Sequence, residues 1–336
     1  MIRIGVISPS EIAFRRFLPA LSKLQGVIFS GVAIASEKEW TGTNYHISSE
    51  LEKARPIIEN YGGKIFNGYR NLIDSDEVDA VYIPLPPALH YCWAKQALSS
   101  GKHVMIEKPA TISLFECEEL VLLAKEKELA VHENYMFVFH EQIQKINEYL
   151  SNGNIGEVRL YRISFGFPQR PKNDFRYNKE LGGGAILDCG GYTLRYASLL
   201  LGDSTKVLCA QVNYLDGFEV DVYGSATLIN SEGITAQVAF GMDNSYKCEI
   251  EIWGSKGTLF TNRVITAPPG YEPELIITKE NTKEIIKLKE DDAFMKSIQY
   301  FVDCVKQEKD RKNNYRSLIK QADVLEQFIL LSKKQL

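Results

Sequence analysis

Lys108 stands between a glutamate and a proline at the end of an apolar run, Val104-Met105-Ile106 followed by Glu107-Lys108-Pro109. Pro109 cannot donate to a sheet ladder, and its ring pushes Lys108 away from the helical region. Lys108 is therefore expected at the carboxyl end of a buried strand. Ligands of open parallel sheets bind beyond those ends, so an ammonium held there can point at an oxygen of a bound molecule. The same residues also suit a plain charged pair closing a strand. Asp188 and Tyr192, four residues apart, form the second pair of interest. On a helix they share one face. A free tyrosine titrates near ~10, and a neighbouring ammonium favours its phenolate. A lysine and a tyrosine around one oxygen can thus exchange a proton with it near neutrality. Read singly, Tyr192 also fits a buried helix tyrosine, and Asp188 a helix-start residue favoured by the macrodipole.

The elements that must hold these residues fall into two patterns. Over residues 1–130, short apolar strands alternate with helices. Strands are expected at Ile2–Ile7, Val27–Ala35, Lys64–Phe66, Ala80–Ile83, Val104–Ile106 and Leu129–Val131. Helices are expected at Ile12–Gln25, Ser48–Tyr61, Tyr69–Asp74, Leu89–Ser100 and Leu114–Glu128. That alternation is the signature of a doubly wound parallel α/β sheet. Residues 131–336 read as an α+β domain. It has one helix at Glu141–Ser151, a run of strands at hairpin spacing from Val158 to Leu288, and an inserted helix at Leu187–Leu201. Turn signals such as Ser231-Glu232-Gly233 separate many of the strands, so the sheet is expected to be mostly antiparallel. Closing helices are expected at Ala293–Glu308 and Ser317–Lys333, where they can fold back on the first domain.

The first strand-to-helix turn is where a dinucleotide domain places G-x-G-x-x-G/A, so that backbone approaches the pyrophosphate at a helix amino terminus. Here the turn is Ser8-Pro9-Ser10-Glu11-Ile12, with Ala13 keeping the small third position. Serine hydroxyls and backbone amides can bond a phosphate and Pro9 can preset the turn, whereas Glu11 adds a nearby negative charge. An ordinary strand–helix turn is the alternative. At the end of the second strand, an aspartate would favour the 2'-hydroxyl of NAD. Ser36 stands there, with Lys38 and Arg15 as basic neighbours, which favours the 2'-phosphate of NADP over NAD; Glu37 argues the other way.

Bulk properties narrow the partners. The 336 residues are enough for two domains, and 45% hydrophobic with 24% charged residues allows sizeable cores. A net charge of -4 gives no basic field for nucleic acid or an anionic membrane. No run of about 20 apolar residues exists to span a bilayer. The start, Met1 to Ile7, is strand-like rather than signal-like, and the six scattered cysteines contain no C-x-x-C pair. A reducing cytoplasm and no disulfide framework are expected. Without a histidine–carboxylate cluster at ligand spacing, no catalytic metal is expected.

Four segments, in order, give the chain a resemblance to the Gfo/Idh/MocA oxidoreductases. They are Tyr82-Ile83-Pro84-Leu85-Pro86 with His90, Glu107-Lys108-Pro109, Glu133-Asn134-Tyr135-Met136-Phe137 with His140, and the glycine-rich stretch from Gly182 to Tyr192. The resemblance implies an α/β Rossmann domain plus an α+β domain with a large, mostly antiparallel open sheet, whose exposed face makes homodimers or homotetramers. It implies that Pro84, Leu85, His90, Glu107 and Lys108 line the cofactor, and that Tyr135 and Phe137 line the substrate. His90 also fits a packed or capping histidine. The Ser8-Pro9-Ser10 loop departs from the family pattern.

Hydride transfer between a carbinol and a nicotinamide needs a proton donor or acceptor on the same oxygen. Tyr192 is read as the donor during reduction and Lys108 as its electrostatic partner, or the two roles are exchanged. Asp188 would fix the substrate or the lysine. The stretch Phe167 to Tyr177 is basic, aromatic and irregular, as suits a loop at an active-site mouth. Arg170, Lys172 and Arg176 can bind a diphosphate, while Phe175 or Tyr177 stacks on a base or sugar ring. A solvated loop is the alternative. With the tyrosine on the helix, this loop is similar to that of the nucleotide-sugar 3-ketoreductase branch. A dehydrogenase of a free sugar, inositol or trans-dihydrodiol is the second reading, and a non-catalytic ligand sensor the third.

Overall fold

The computed structural model describes residues 1–40, 47–280 and 282–333. The expected domain ranges also take in 41–46, 281 and 334–336, which lie outside the described residues. The chain divides into two compact units. The first comprises Met1–Thr111, Phe115–Asn134 and Phe294–Ile319, and the second Ile112–Leu114, Tyr135–Ala293 and Lys320–Leu336.

The first unit holds a six-stranded parallel sheet of β1 (Ile2–Ile7), β2 (Val27–Ile34), β3 (Lys64–Asn67), β4 (Ala80–Ile83), β5 (His103–Ile106) and β6 (Val131–Glu133). The spatial order β3-β2-β1-β4-β5-β6 reverses between β1 and β4, the switch point beside which such sheets bind dinucleotides. β4 is buried at every position, as a strand covered on both faces requires. The helices are α1 (Leu18–Leu21), α2 (Ile47–Tyr61), α3 (Tyr69–Ile73), α4 (Pro87–Ser99) and α5 (Leu114–Glu126).

Two helices of the first unit depart most from the sequence reading. α4 starts at Pro87, because a proline at the first helical position lacks only an N–H that would be unbonded anyway. The helix expected at Ile12–Gln25 is shorter: a wide π turn, Ala13–Phe17, leads into α1, which ends at Leu21.

The second unit is built on α6 (Glu141–Ser151), β7 (Val158–Gly166), α7 (Gly191–Leu201) and the strands β8 (Lys206–Tyr214), β9 (Asp221–Ile229), β10 (Thr235–Gly241), β11 (Lys247–Gly254), β12 (Thr258–Asn262), β13 (Glu274–Lys279) and β14 (Thr282–Lys287). The sheet order is β14-β13-β12-β11-β7-β10-β9-β8, antiparallel throughout except for β7 beside β10. β9, β10 and β11 alternate buried and more exposed residues, so one face carries the core and the other meets solvent. On the open face Arg162 reaches Glu251 and Gln237, both at 3.3 Å, and lies over the Trp253 ring.

α8 (Ala293–Lys306) and α9 (Glu308–Lys333) close the chain. α9 begins nine residues before the expected Ser317, since Glu308–Arg316 is too polar to show an apolar period. Glu308 and Asp310 in its first turn suit the macrodipole, and a Glu308–Lys312 pair at 2.5 Å adds support.

Candidate active site

In the first unit, Ser8, Ser36, Pro84 and Glu107 each lie within two residues of the carboxyl end of a strand, along one edge of the sheet. Glu107 extends β5 by donating its N–H to Ile83 O at 3.0 Å. Its carboxylate accepts from the Tyr82 hydroxyl at 2.6 Å and from Asn134 Nδ2 at 2.7 Å. Ser297 of α8 donates to Asn134 Oδ1 at 2.8 Å, so the carboxylate ends a buried polar chain. Burial raises the Glu107 carboxyl, while the Tyr82 and Asn134 bonds and the nearby Lys108 act against that rise. The Lys108-Pro109 peptide is cis, and Ala110 N–H donates to Glu133 Oε1 at 2.8 Å. The backbone around Lys108 is thereby tied on both sides.

His90 belongs to that tie. Its ring is fully buried, with Nδ1 2.7 Å from Pro109 O and Nε2 2.6 Å from Leu85 O. Burial pushes its imidazole down to about 4, against the pull of the two carbonyls. The expected contact with a nicotinamide is replaced by a structural one: His90 pins the turn holding Pro84 and Leu85, both buried, to the strand end at Pro109.

The serine loop keeps a glycine's path. Ser8 has φ +74°, the left-handed region that glycine enters freely. Its N–H donates to Ala33 O at 3.0 Å, which fixes the loop to β2. Pro9 is buried. Ser10 Oγ accepts from Ala13 N–H at 3.2 Å, a helix N-cap rather than a free hydroxyl. Glu11, the unwelcome charge, pairs with Arg15 at 2.6 Å, and Ile12 is exposed.

At the end of β2, Ser36 donates both its N–H and its hydroxyl to Glu39 Oε2, each at 2.8 Å. The Glu39 carboxylate also accepts from the amides of Tyr69 and Arg70 at the start of α3. Burial raises its carboxyl, but these bonds more than offset that and leave it lowered. Glu39, absent from the sequence reading, therefore organises this corner; Lys38 is exposed beside it.

In the second unit, Arg176 is the centre of a carboxylate cluster. Its Nε lies 2.7 Å from Asp188 Oδ2 and its Nη1 3.1 Å from Asp174 Oδ1, while its guanidinium lies over the Phe175 ring. Burial works to lower Arg176, but the two carboxylates outweigh it and hold the group above its ordinary value. The arginine expected to bind diphosphate is thus committed to Asp188. Asp174, two residues before it, belongs to the same cluster, and the Asp-x-Arg spacing is its signal in the sequence. The loop is further fixed by Tyr177, whose hydroxyl accepts from Arg170 N–H at 3.0 Å, lies 3.3 Å from Met242 O, and whose ring packs on Phe218. Arg170 and Lys172 keep exposed side chains.

Tyr192 is buried inside an aromatic frame. Tyr135 and Phe165 meet its ring edge-on at 5.2 and 5.5 Å, and Phe137 is tilted at 6.0 Å. Each such contact adds roughly 0.5–1.5 kcal/mol beyond area burial. Tyr135 and Phe137 are only 2% exposed, so they hold Tyr192 rather than offer a surface to substrate. Gln321 steadies this frame, donating to the Tyr135 hydroxyl at 3.3 Å and to Gly191 O at 3.1 Å. Neither Gln321 nor Asp221, which accepts from Ile186 N–H at 2.8 Å, is legible from spacing along the chain.

Comparison with known proteins matches this arrangement. Residues 35–135 match the oxidoreductase family with an NAD-binding Rossmann fold, and residues 143–260 match the Gfo/Idh/MocA C-terminal domain. The chain is 38% identical over 304 residues to a dTDP-3,4-didehydro-2,6-dideoxy-alpha-D-glucose 3-reductase of Actinomadura kijaniata, covering 90% of this chain and 87% of that protein. A Streptomyces antibioticus protein of the same name is 31% identical, covering 99% and 97%. The crystal structure of a 3-ketoreductase from Actinomadura kijaniata with NADP and TDP-benzene superposes with a TM-score of 0.90 at 36% identity, covering 98% of this chain and 97% of that one. The chain belongs to the Gfo/Idh/MocA oxidoreductase family.

Proposed function

We propose that this protein reduces the 3-keto group of a dTDP-linked deoxysugar with NADPH, using Lys108 and Tyr192 as its catalytic pair. One observation carries the reading. In the Actinomadura kijaniata enzyme, lysine and tyrosine variants were crystallised with TDP-benzene and NADP, and those two positions are as far apart in sequence as Lys108 and Tyr192. The residues of the first unit fit a dinucleotide: the switch point lies beside β1, and Ser8 follows the glycine path. The loop of Ser8, Pro9, Ser10, Glu11 and Ile12 would hold the pyrophosphate through its backbone N–H groups, and Lys38, beside Ser36, would meet the 2'-phosphate once Ser36 exchanges its Glu39 bond for it. When bound, NADPH supplies the hydride to the carbonyl carbon. Tyr192 gives its phenolic proton to the carbonyl oxygen, and the Lys108 ammonium stabilises the phenolate left behind. Asp188 holds Arg176 at the substrate mouth, where Arg170 and Lys172 meet the diphosphate.

Residues 1–130 would bind the cofactor and 131–336 the substrate. The open sheet face, with Arg162 and Trp253 exposed on it, would join copies into a homodimer or homotetramer, to be read by light scattering. Cysteine usage, with six free thiols, favours the cytoplasm. Among the described residues, no helix is long and apolar enough to cross a membrane.

The test is NADPH oxidation with a dTDP-3-keto sugar against free sugars and polyols. Lys108→Ala and Tyr192→Phe should each cut kcat by two or more orders of magnitude while circular dichroism stays native. Near-normal rates in both would remove the pair from the mechanism. Equal turnover of an unlinked sugar would remove the nucleotide.

A further inference from the structure

We propose that Asp221, the first residue of β9, is a positioning residue for this reaction: its buried carboxylate sets where the helix carrying Asp188 and Tyr192 begins. The inference rests on the reading above for its catalytic meaning and on geometry for its placement. Asp221 is only 8% exposed, and its Oδ2 accepts from Ile186 N–H at 2.8 Å, at the start of the helical segment. Its Oδ1 is tucked against Gly184, where a Cβ would lie 2.5 Å away. Gly184 has φ +121°, so glycine is required there both by conformation and by the carboxylate.

Gly184 is in turn a junction. Its N–H donates to Arg176 O at 2.9 Å, and its carbonyl accepts from Asp188 N–H at 3.1 Å. One carboxylate on a sheet strand thus fixes both the helix start and the loop bearing Asp174 and Arg176. Between that anchor and α7 runs a π turn, Ile186–Gly190, which contains Asp188 and ends two residues before Tyr192. A π turn inserts an extra residue into the helical repeat and is marginal alone. The direction of Tyr192 therefore depends on an anchor that keeps this turn from relaxing to a regular α-helix.

Burial raises the Asp221 carboxyl to about 6, against the backbone N–H groups that it accepts from. Tyr214 lies opposite it in the β8 register, its phenol raised by burial and by this carboxylate. Arg176 and Asp188, whose backbones bond Gly184, pair with each other. Protonation near pH 6 weakens the acceptor and loosens the anchor.

The experiment compares Asp221→Ala, which removes the acceptor, with Asp221→Asn, which keeps one but cannot titrate. Asp221→Ala should lower kcat 10- to 100-fold, leave the Kd of NADPH within twofold, and speed amide exchange over residues 186–192 at least tenfold, with exchange in β10 and β11 unchanged. The wild type should lose kcat on the acid side near pH 6, and Asp221→Asn should recover most of kcat at pH 8 and lack that acid limb. Unchanged kcat or unchanged exchange at 186–192 in folded Asp221→Ala overturns the proposal. If Asp221→Ala does not fold, an Asp221→Asn profile that keeps the acid limb overturns it. Should the wild type reduce no dTDP-keto sugar, the functional reading falls, and amide exchange alone decides the anchor.

Discussion

Replacing Arg176 with alanine should destabilise the second unit before it weakens substrate binding. The three side chains involved are mostly buried: Arg176 is 21% exposed, Asp174 17% and Asp188 13%. At a separation of about 3 Å and an effective dielectric near 20, each contact attracts by roughly 5 kcal/mol before desolvation. Most of that attraction offsets the cost of taking the ions out of water, so the pair is weak evidence for net stability. Removing the arginine is another matter, since it takes from two mostly buried carboxylates the guanidinium that pairs with both. Breaking a fully buried pair costs about 3–5 kcal/mol. Residual exposure lowers that cost and the lost cation–π contact with Phe175 adds a little back, for an expectation of about 2–3 kcal/mol. Urea unfolding at pH 8 reads this directly. Arg176→Ala combined with Asp188→Asn should recover part of the loss, as one of the two carboxylates that Arg176 paired with is gone. An Arg176→Ala variant within 0.5 kcal/mol of wild type (about the spread of an innocuous surface change), with a raised KM for the nucleotide sugar, would mean that the guanidinium serves the substrate and not Asp188.

Arg170→Ala provides the contrast: its exposed side chain can go while its N–H still bonds Tyr177, so KM for the nucleotide sugar should rise about five- to tenfold, the loss of one charge-assisted contact, with stability unchanged. An unchanged KM would place the diphosphate elsewhere. Ser8→Gly should stabilise the protein by about 0.5–1 kcal/mol, since a left-handed serine costs roughly 1–2 and glycine returns part of that in chain entropy; a lower melting temperature would show that the serine hydroxyl contributes more than its strain costs. His90 titrates near 4 when folded and near 6.5 when unfolded, so the unfolded chain takes up the proton first as pH falls. Stability on the order of 3 kcal/mol is present above pH 6.5 and lost towards pH 4. His90→Gln should flatten that part of the acid-unfolding curve, and an unaltered slope would assign it to other groups, His103 first among them.

Much of the fold was legible because its strands and helices carry their own periodicity. β1 and β4 lie where continuous apolar runs placed them, and the strands from β7 to β14 fall in the stretch that turn signals and hairpin spacing marked out. The edges that went astray are those where local chemistry leaves no apolar trace: the polar start of α9, the proline that opens α4, and the π turn that interrupts the first helix. At the candidate site, residue types named the chemistry but not the partners. Lys108 could be placed at a strand end because a proline acts on its immediate neighbour, whereas its supports, Asn134 and His90, come from other elements.

By itself the sequence determined what is local: a Glu-Lys-Pro strand end, an Asp and a Tyr one helical turn apart, a dinucleotide loop with serines for glycines, and a resemblance carried by four short segments. Tertiary structure alone decided who bonds to whom. It paired Arg176 with Asp188, made His90 a pin and Ser10 a cap, and enlisted Glu39, Asp221 and Gln321, which no spacing announces. The reason is physical. Periodicity and turn chemistry act over a few residues, whereas a buried polar group takes whichever partner folding brings within about 3 Å, at any distance along the chain.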